Sequence, residues 1–303
     1  MNNLQVCKKD SQFPHNSRTF IDVTIPNYYN FFMSEIKFKP LHYFYLAAIS
    51  LLASGLLMQE QQDWKEWFFL IWSTFTGIFL TYRFNDFIDG SKNFEFNFKK
   101  FFSNKLHIFV VIQLILILTP LSFIYLSYFR FVLLNVLCIF GMLYSVKFEV
   151  AGKLFRIKHI FIVKNFLIGI CWGGLVLLGA DFVDTADILS LFLFSTIQVF
   201  IGSTTRDITD LESDTTEYVN SLPVVLGLKK TIIVLNCLNL FAFIIPYFLI
   251  TNFNNYIPIA ITFVWRTIVL LKVVSSKSKN WSQKYNLLTC FTIFIGQLIA
   301  WTF

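Results

Sequence analysis

The sequence predicts an all-α polytopic membrane protein, a bundle of about nine transmembrane helices, on three observations. Of its 303 residues, 56% are hydrophobic and only 14% charged, too apolar a balance for a globule in water. Apolar stretches long enough to cross a bilayer recur from Leu41 to the end of the chain. Lys and Arg collect in alternate connections between those stretches, as they do when one set of loops faces the cytoplasm. With 38 Phe and an aromatic content of 19%, the composition also excludes disorder, collagen and the polar nucleic-acid-binding classes.

Residues 1–39 are mixed and polar and carry Lys8, Lys9 and Arg18. They contain no apolar run followed by a small-residue cleavage site, so they read as a cytoplasmic N-terminal segment and not as a secretory signal. Residues 40–303 read as a single transmembrane domain with spans at 41–58, 67–83, 106–125, 128–146, 160–180, 187–204, 231–250, 255–274 and 284–303. The third and fourth spans, and the seventh and eighth, are nearly fused, which leaves eight or ten spans as alternatives. The five cysteines show no C-x-x-C spacing, and four of them fall in apolar runs, implying neither zinc nor a disulfide framework.

Charge tests the count. Nine spans place 21 of the 25 basic residues on the side of the N-terminus and only Lys65 and Arg130 on the other, with Lys164 and Arg266 inside spans. Topology therefore accounts for the net charge of +7, and no nucleic-acid partner is needed. The N-terminus is expected on the cytoplasmic face of an integral, multi-pass protein.

Acidic residues on that face concentrate at two places, each just after a span. Arg83-Phe-Asn85-Asp86-Phe-Ile-Asp89 continues to Asn93 after the second span, and Arg206-Asp207-Ile-Thr-Asp210-Leu-Glu212-Ser-Asp214 follows the sixth. If each helix runs on past its span, offsets of three and seven put Asp86, Asp89 and Asn93 on one stripe, and Asp207, Asp210 and Asp214 on another. Carboxylates crowded on one helical face repel, and a divalent cation relieves the repulsion. Oxygen-only ligands favour magnesium, which keeps several waters and completes its shell with substrate phosphates. The pattern thus suggests a diphosphate held between two metal-loaded helix ends; the plainer alternative is two solvated helix caps. A third acidic run, Asp181, Asp184 and Asp187, lies on the opposite side and reads as a solvated loop.

The cytoplasmic connection between the fourth and fifth spans supplies the opposite charge through Lys147, Lys153, Arg156 and Lys158, with Lys164 and Asn165 entering the fifth span. Cations here would stabilise a departing diphosphate. For Lys147, Lys153 and Lys158, anchoring to the membrane face is an equal reading, whereas Lys164 lies deeper, where an unpaired ammonium is expensive. Arg83 and Arg206 flank the two acidic clusters, in reach of phosphate or of the carboxylates themselves. Tyr144 ends the fourth span, where an interfacial aromatic belt would also place it. Glu212 reads equally as a partner of the metal site or a solvated residue.

These residues resemble the UbiA superfamily of intramembrane prenyltransferases. Asn85, Asp86, Asp89 and Asn93 are similar to the family's N-D-x-x-D-x-x-x-D after the second helix, and Asp207, Asp210 and Asp214 to its second aspartate motif after the sixth. Ser221-Leu-Pro-Val-Val-Leu-Gly227 resembles the T-L-P-x-x-L-G opening of the seventh helix, and Tyr144-Ser-Val-Lys147 the Y-x-x-x-K stretch, one residue short. The likeness runs from about residue 35 to the end. Departures are Asn93 in place of an aspartate, the absence of N-x-P-x-R-P after the first motif, and the short Tyr-Lys spacing, which leaves Lys147 or Lys153 as the diphosphate contact.

The resemblance implies helices around a central cavity and magnesium at Asp86, Asp89, Asp207, Asp210 and Asp214, four of which (Asp86, Asp89, Asp207 and Asp210) would be catalytic. It further implies an isoprenyl diphosphate gripped with the help of Asn85, Tyr144 and Lys147 or Lys153, to which charge and position add Arg83, Lys164 and Arg206, and transfer of the prenyl group to an aromatic or other lipophilic acceptor within the lipid bilayer. An apolar aromatic cavity would keep the allylic cation from water. A terpene cyclase on the same fold needs the same ionisation and is the alternative. A non-enzymatic transporter would use acidic sites for ion coupling, but such sites lie near the bilayer midplane, and these lie at span ends.

Overall fold

Nearly every predicted span coincides with a helix, because in hydrocarbon the backbone must satisfy its own hydrogen bonds. A computed structural model of the chain describes residues 39–59, 63–90, 124–150, 153–157, 160–180, 186–216, 219–250, 253–276 and 279–302. The first three major helices are α1 (Lys39–Leu57), α2 (Trp64–Gly90) and α3 (Tyr128–Leu143). Strands β1 (Lys147–Val150) and β2 (Lys153–Arg156) follow, then α4 (Val163–Gly179) and α5 (Ala186–Thr209). Two short helices, α6 (Leu211–Thr216) and α7 (Leu222–Leu226), lead into α8 (Leu228–Leu249). A 3₁₀ turn at Phe253–Tyr256 opens α9 (Ile257–Ser276), and α10 (Lys279–Thr302) ends the chain. A compact unit spans Pro40–Phe303. Among the described residues, α5, α8, Phe253–Lys272 and Tyr285–Thr302 are long and apolar enough to cross a membrane, and Tyr43–Leu57, α3 and Val163–Gly179 are shorter apolar helices. The expected span 106–125 lies almost wholly outside the described residues.

The all-α expectation is corrected at one place. Lys147–Arg156 forms an antiparallel hairpin in the register Lys147↔Arg156, Phe148↔Phe155, Glu149↔Leu154 and Val150↔Lys153. Its cause is in the sequence: Lys147-Phe-Glu-Val and Lys153-Leu-Phe-Arg are short runs with aromatic and branched residues, broken by Ala151-Gly152.

Small residues set the packing of α4. A Cβ added at Gly55 would lie 2.2 Å from the Val176 carbonyl oxygen, and one at Gly179 would lie 2.3 Å from that of Leu52, so α1 and α4 meet backbone to backbone. On its other side α4 presses Gly173 against Thr196 of α5. Leu51, Leu52 and Leu56 from α1, Val176 and Leu178 from α4, and Phe194 from α5 fill the core beside these contacts. α8 instead exposes Ile233, Leu240, Phe241, Ile244 and Phe248, apolar surface suited to lipid.

Polar groups inside the bundle are tied together. Arg266, 2% exposed, donates from Nε to Gln198 Oε1 at 2.9 Å, from Nη2 to Gln198 O at 3.0 Å and from Nη1 to Asn286 Oδ1 at 2.6 Å. Asn286 donates to the Gly202 carbonyl at 2.9 Å, and Gln198 donates to Asn239 at 2.8 Å. One network thus joins α5, α8, α9 and α10. At the far end of the bundle Arg130 pairs with Glu66, joining α3 to α2. Asp187, expected in a solvated loop, is buried in the first turn of α5 and accepts from Asn255 Nδ2 at 2.9 Å. The amide neighbour explains its burial, since a carboxylate leaves water only when paired.

Candidate active site

The first motif sits on the last turns of α2, which continues beyond the apolar span to Gly90 as its offsets require. Asn85 is held from outside the helix: its Oδ1 accepts from Ser145 Oγ at 2.8 Å, and the Ser145 carbonyl accepts from Arg156 Nη2 at 3.1 Å. Arg156 and Ser145 are both buried. The hairpin therefore returns its last residue to the end of α3, beside Tyr144, and clamps the residue that orients Asn85. In the sequence Arg156 stands among the cations offered to a departing diphosphate and Ser145 only within the Tyr144–Lys147 stretch; the clamp between them arises where the hairpin pairs Lys147 with Arg156. The side chains of Arg83, Asp86, Asp89, Lys147 and Lys153 lie outside what the structure describes, as do residues Asn93, Lys158, Asp181 and Asp184 altogether.

The second motif is less regular than the i, i+3, i+7 stripe expected. α5 ends at Thr209 and α6 starts at Leu211, with the Asp210 amide shared between Arg206 O and Asp207 O at 3.2 Å each. The three aspartates consequently have different surroundings. Asp207, 3% exposed, accepts from Lys164 Nζ at 2.6 Å on Oδ1 and from Asn165 Nδ2 at 2.8 Å on Oδ2. Asn165 is itself fixed, donating to Thr204 Oγ1 at 3.0 Å and accepting from Ser203 Oγ at 2.7 Å. Asp210 is half-buried, with Oδ2 3.8 Å from Arg206 Nε. Asp214 is buried, and its Oδ2 has no hydrogen-bond partner among the described residues. Glu212 is exposed.

Aromatic rings connect the two motifs. Tyr82 lies four residues before Asp86, one turn nearer the span on the same face of α2. Its ring stacks on Phe44 of α1 at 4.8 Å, and the Arg206 guanidinium lies over that same Phe44 ring at 6.0 Å. Trp172 of α4 completes the group, 6.0 Å from Phe44 and 6.4 Å from Tyr82. The face of α2 below position 86, through Tyr82, and the face of α5 carrying Arg206 thus meet at the same ring, Phe44. A cationic guanidinium over an aromatic face is attracted by the ring quadrupole, and the same faces would attract a carbocation.

Among the described residues, no three His, Cys, Asp or Glu gather closely enough to hold a metal by themselves. The donors present nevertheless fit one supplied with further oxygens: Asp214 offers a buried acceptor with no partner, a costly state unless a cation or donor meets it. Oxygen ligands of this kind suit magnesium.

The fold and sequence have counterparts. In structural comparison the chain is similar to digeranylgeranylglyceryl phosphate synthase, at 22% identity and a TM-score of 0.59, covering 84% of this chain and 92% of that one. It is similar to a UbiA homologue from Aeropyrum pernix K1 at 14% identity, with a TM-score of 0.58 and coverage of 86% and 98%. A UbiA homologue from Archaeoglobus fulgidus bound to GPP and Mg2+ aligns at 12% identity and a TM-score of 0.56, covering 87% and 97%. At these identities the structural likeness bears on the fold alone. No curated protein sequence matches. The model of the UbiA prenyltransferase family matches residues 46–295, most of the chain. Two aspartate motifs on helix ends that meet at the same aromatic ring, carried on this helical fold, agree with that match, and the chain belongs to the UbiA prenyltransferase family.

Proposed function

We propose that the protein is a magnesium-dependent intramembrane prenyltransferase that ionises an isoprenyl diphosphate and passes the prenyl group to an aromatic or other lipophilic acceptor. The observation that carries this reading is the Tyr82–Phe44–Arg206 contact, which brings the flanks of both aspartate motifs to one ring. Family membership and the magnesium-bound and GPP-bound relative support it. Asp86, Asp89, Asp210 and Asp214 would hold magnesium, which when bound neutralises the diphosphate and eases its departure. Asn85, which opens the first motif, is oriented by Ser145.

Arg83, Tyr144, Lys147, Lys153, Lys164 and Arg206 supply donors to the diphosphate oxygens, and positive charge placed where the leaving group gains negative charge lowers the barrier. As the bond from the prenyl C1 to diphosphate oxygen breaks, its electron pair leaves with the oxygen. Phe44, Tyr82 and Trp172 exclude water from the resulting allylic cation and offer it their π faces. The acceptor then forms the new bond to C1 and loses a proton. The motifs and the N-terminus lie on the cytoplasmic face in this reading.

The test is incubation of the purified protein in lipid nanodiscs with Mg2+, dimethylallyl or geranyl diphosphate, and a membrane lipid extract, with products identified by mass spectrometry. Prenylated product that appears only with the extract is expected. Without acceptor, only slow hydrolysis should occur; rapid release of a cyclic terpene from the diphosphate alone would replace transfer with cyclisation.

A further inference from the structure

The first aspartate of the second motif is arranged unlike the other two. We propose that Asp207 is a positioning residue for Lys164, fixing its ammonium as a diphosphate-binding group, and that it is not a magnesium ligand. The inference rests on the reading of the site as a diphosphate site and assigns one residue within it.

Both Asp207 oxygens are engaged by protein donors, Oδ1 by Lys164 and Oδ2 by Asn165. The Asn165 amide is not free to turn away, because Ser203 holds its oxygen and Thr204 shares its nitrogen. Three polar groups of α4 and α5, Asn165, Ser203 and Thr204, therefore converge to orient one carboxylate toward one lysine. A metal that took Asp207 would have to strip Lys164, whose side chain is 18% exposed, of its counter-charge, and an ammonium held mostly out of water is costly when unpaired. Asp214 presents the contrasting case, with a buried oxygen that no donor among the described residues meets.

Lys164 is suited to the complementary task. An ammonium has three donors, and among the described residues Asp207 is its hydrogen-bond acceptor. Its side chain is 18% exposed, neither sealed in the core nor loose in solvent. Asp207 holds the head group at one point and leaves donors for an anionic oxygen. Lys164 stands in the first turn of α4. Asp207 stands one residue beyond Arg206, the cation over Phe44, so the two positive groups flank one stretch of α5.

The experiment is a double-mutant cycle on the full chain in detergent or nanodiscs, using Asp207→Asn, Lys164→Met and the double variant, with Asp214→Asn for comparison. Two readouts are taken: the Mg2+ concentration that half-saturates thermal stabilisation in the presence of inorganic diphosphate, and the affinity for inorganic diphosphate at saturating Mg2+. Asp207→Asn should leave the Mg2+ midpoint within about threefold of the parent, while Asp214→Asn raises it about tenfold or more. Asp207→Asn and Lys164→Met should each weaken diphosphate binding by about tenfold to a hundredfold, the cost of one charge-assisted hydrogen bond. The double variant should be no weaker than either single one, because both lose the same interaction. If the single Asp207 variant does not fold, the double variant, which removes both charges, still reports the Mg2+ midpoint. A Mg2+ midpoint shifted as far in the Asp207 variants as in Asp214→Asn, or independent additive losses of diphosphate affinity, would overturn the assignment. A parent protein that responds to neither Mg2+ nor diphosphate would instead overturn the proposed function.

Discussion

A buried carboxylate with an oxygen that meets no donor and a buried carboxylate with a donor on each oxygen are different reagents, and the second motif contains both. Asp214 belongs to the first kind and Asp207 to the second. Spacing placed both on one stripe because helix offsets report a face only while the helix runs unbroken, and here α5 stops at Thr209. Nor could spacing show that Lys164, far back in the chain, stands beside Asp207. Asp210→Asn and Asp214→Asn are expected to lower turnover by about 10² to 10³, equivalent to roughly 2.7 to 4 kcal/mol of lost stabilisation at the leaving group. Steady-state assays at saturating Mg2+ check this, with Asp181→Asn and Asp184→Asn expected to behave as the parent; near-normal turnover in all four variants would remove the site. Ser145 offers a finer test. Ser145→Ala keeps the carbonyl that Arg156 binds but removes the hydroxyl that orients Asn85, a hydrogen bond worth about 0.5 to 1.5 kcal/mol. Turnover should fall about three- to tenfold with thermal stability nearly unchanged, and an unaffected rate would mean that Asn85 needs no orienting.

At the scale of elements, α5 is gripped from two sides. α4 meets it through Gly173 against Thr196 and through the Asp207 cluster, while α9 and α10 meet it through Arg266 and Asn286 at Gln198 and Gly202. The sequence marks Arg266 as a charge inside a span, but its neighbours come from helices that only the packing brings together. The hairpin at Lys147–Arg156 has a legible signal in two short runs parted by Ala-Gly, within a connection that the charge pattern alone marks only as cytoplasmic. Arg266→Met should strand the Gln198 and Asn286 acceptors, costing about 1 to 3 kcal/mol for each buried group left without a donor. A clear drop in unfolding temperature in detergent is the expected result, and a parent-like melting curve would show that the network contributes nothing. Gly179→Val tests the backbone-to-backbone contact between α1 and α4 instead. Its Cβ would sit 2.3 Å from Leu52 O and 2.7 Å from Leu56 N, backbone atoms that cannot swing aside, so α1 must move away from α4. Overpacking of this kind costs about 1 to 3 kcal/mol, and the monodisperse fraction on size-exclusion chromatography should shrink accordingly.

Over the whole molecule, apolar length was the most readable quantity, because crossing hydrocarbon demands both a minimum run and an internally bonded backbone. The described helices follow the expected spans at α1, α2, α3, α4, α5, α8, α9 and α10, and the family match covers nearly the same stretch of chain. Orientation follows from a separate argument. The ends of α2 and α5 that carry the motifs, the hairpin between α3 and α4, and the α7–α8 junction with Lys229 and Lys230 all fall on the basic side of the span pattern. Lys and Arg are retained on the cytoplasmic side during insertion, so 21 basic residues against 2 fix the direction if the spans number nine. An odd number then separates the termini. A reporter fused at the N-terminus should be active only in its cytoplasmic form, one fused after Phe303 only in its external form, and single cysteines at positions 93 and 217 in a cysteine-free background should react with impermeant reagent only after the membrane is opened. Termini found on one face would reduce or raise the span count by one, and cysteines at 93 and 217 labelled from opposite faces would separate the two aspartate motifs and end the shared-site reading.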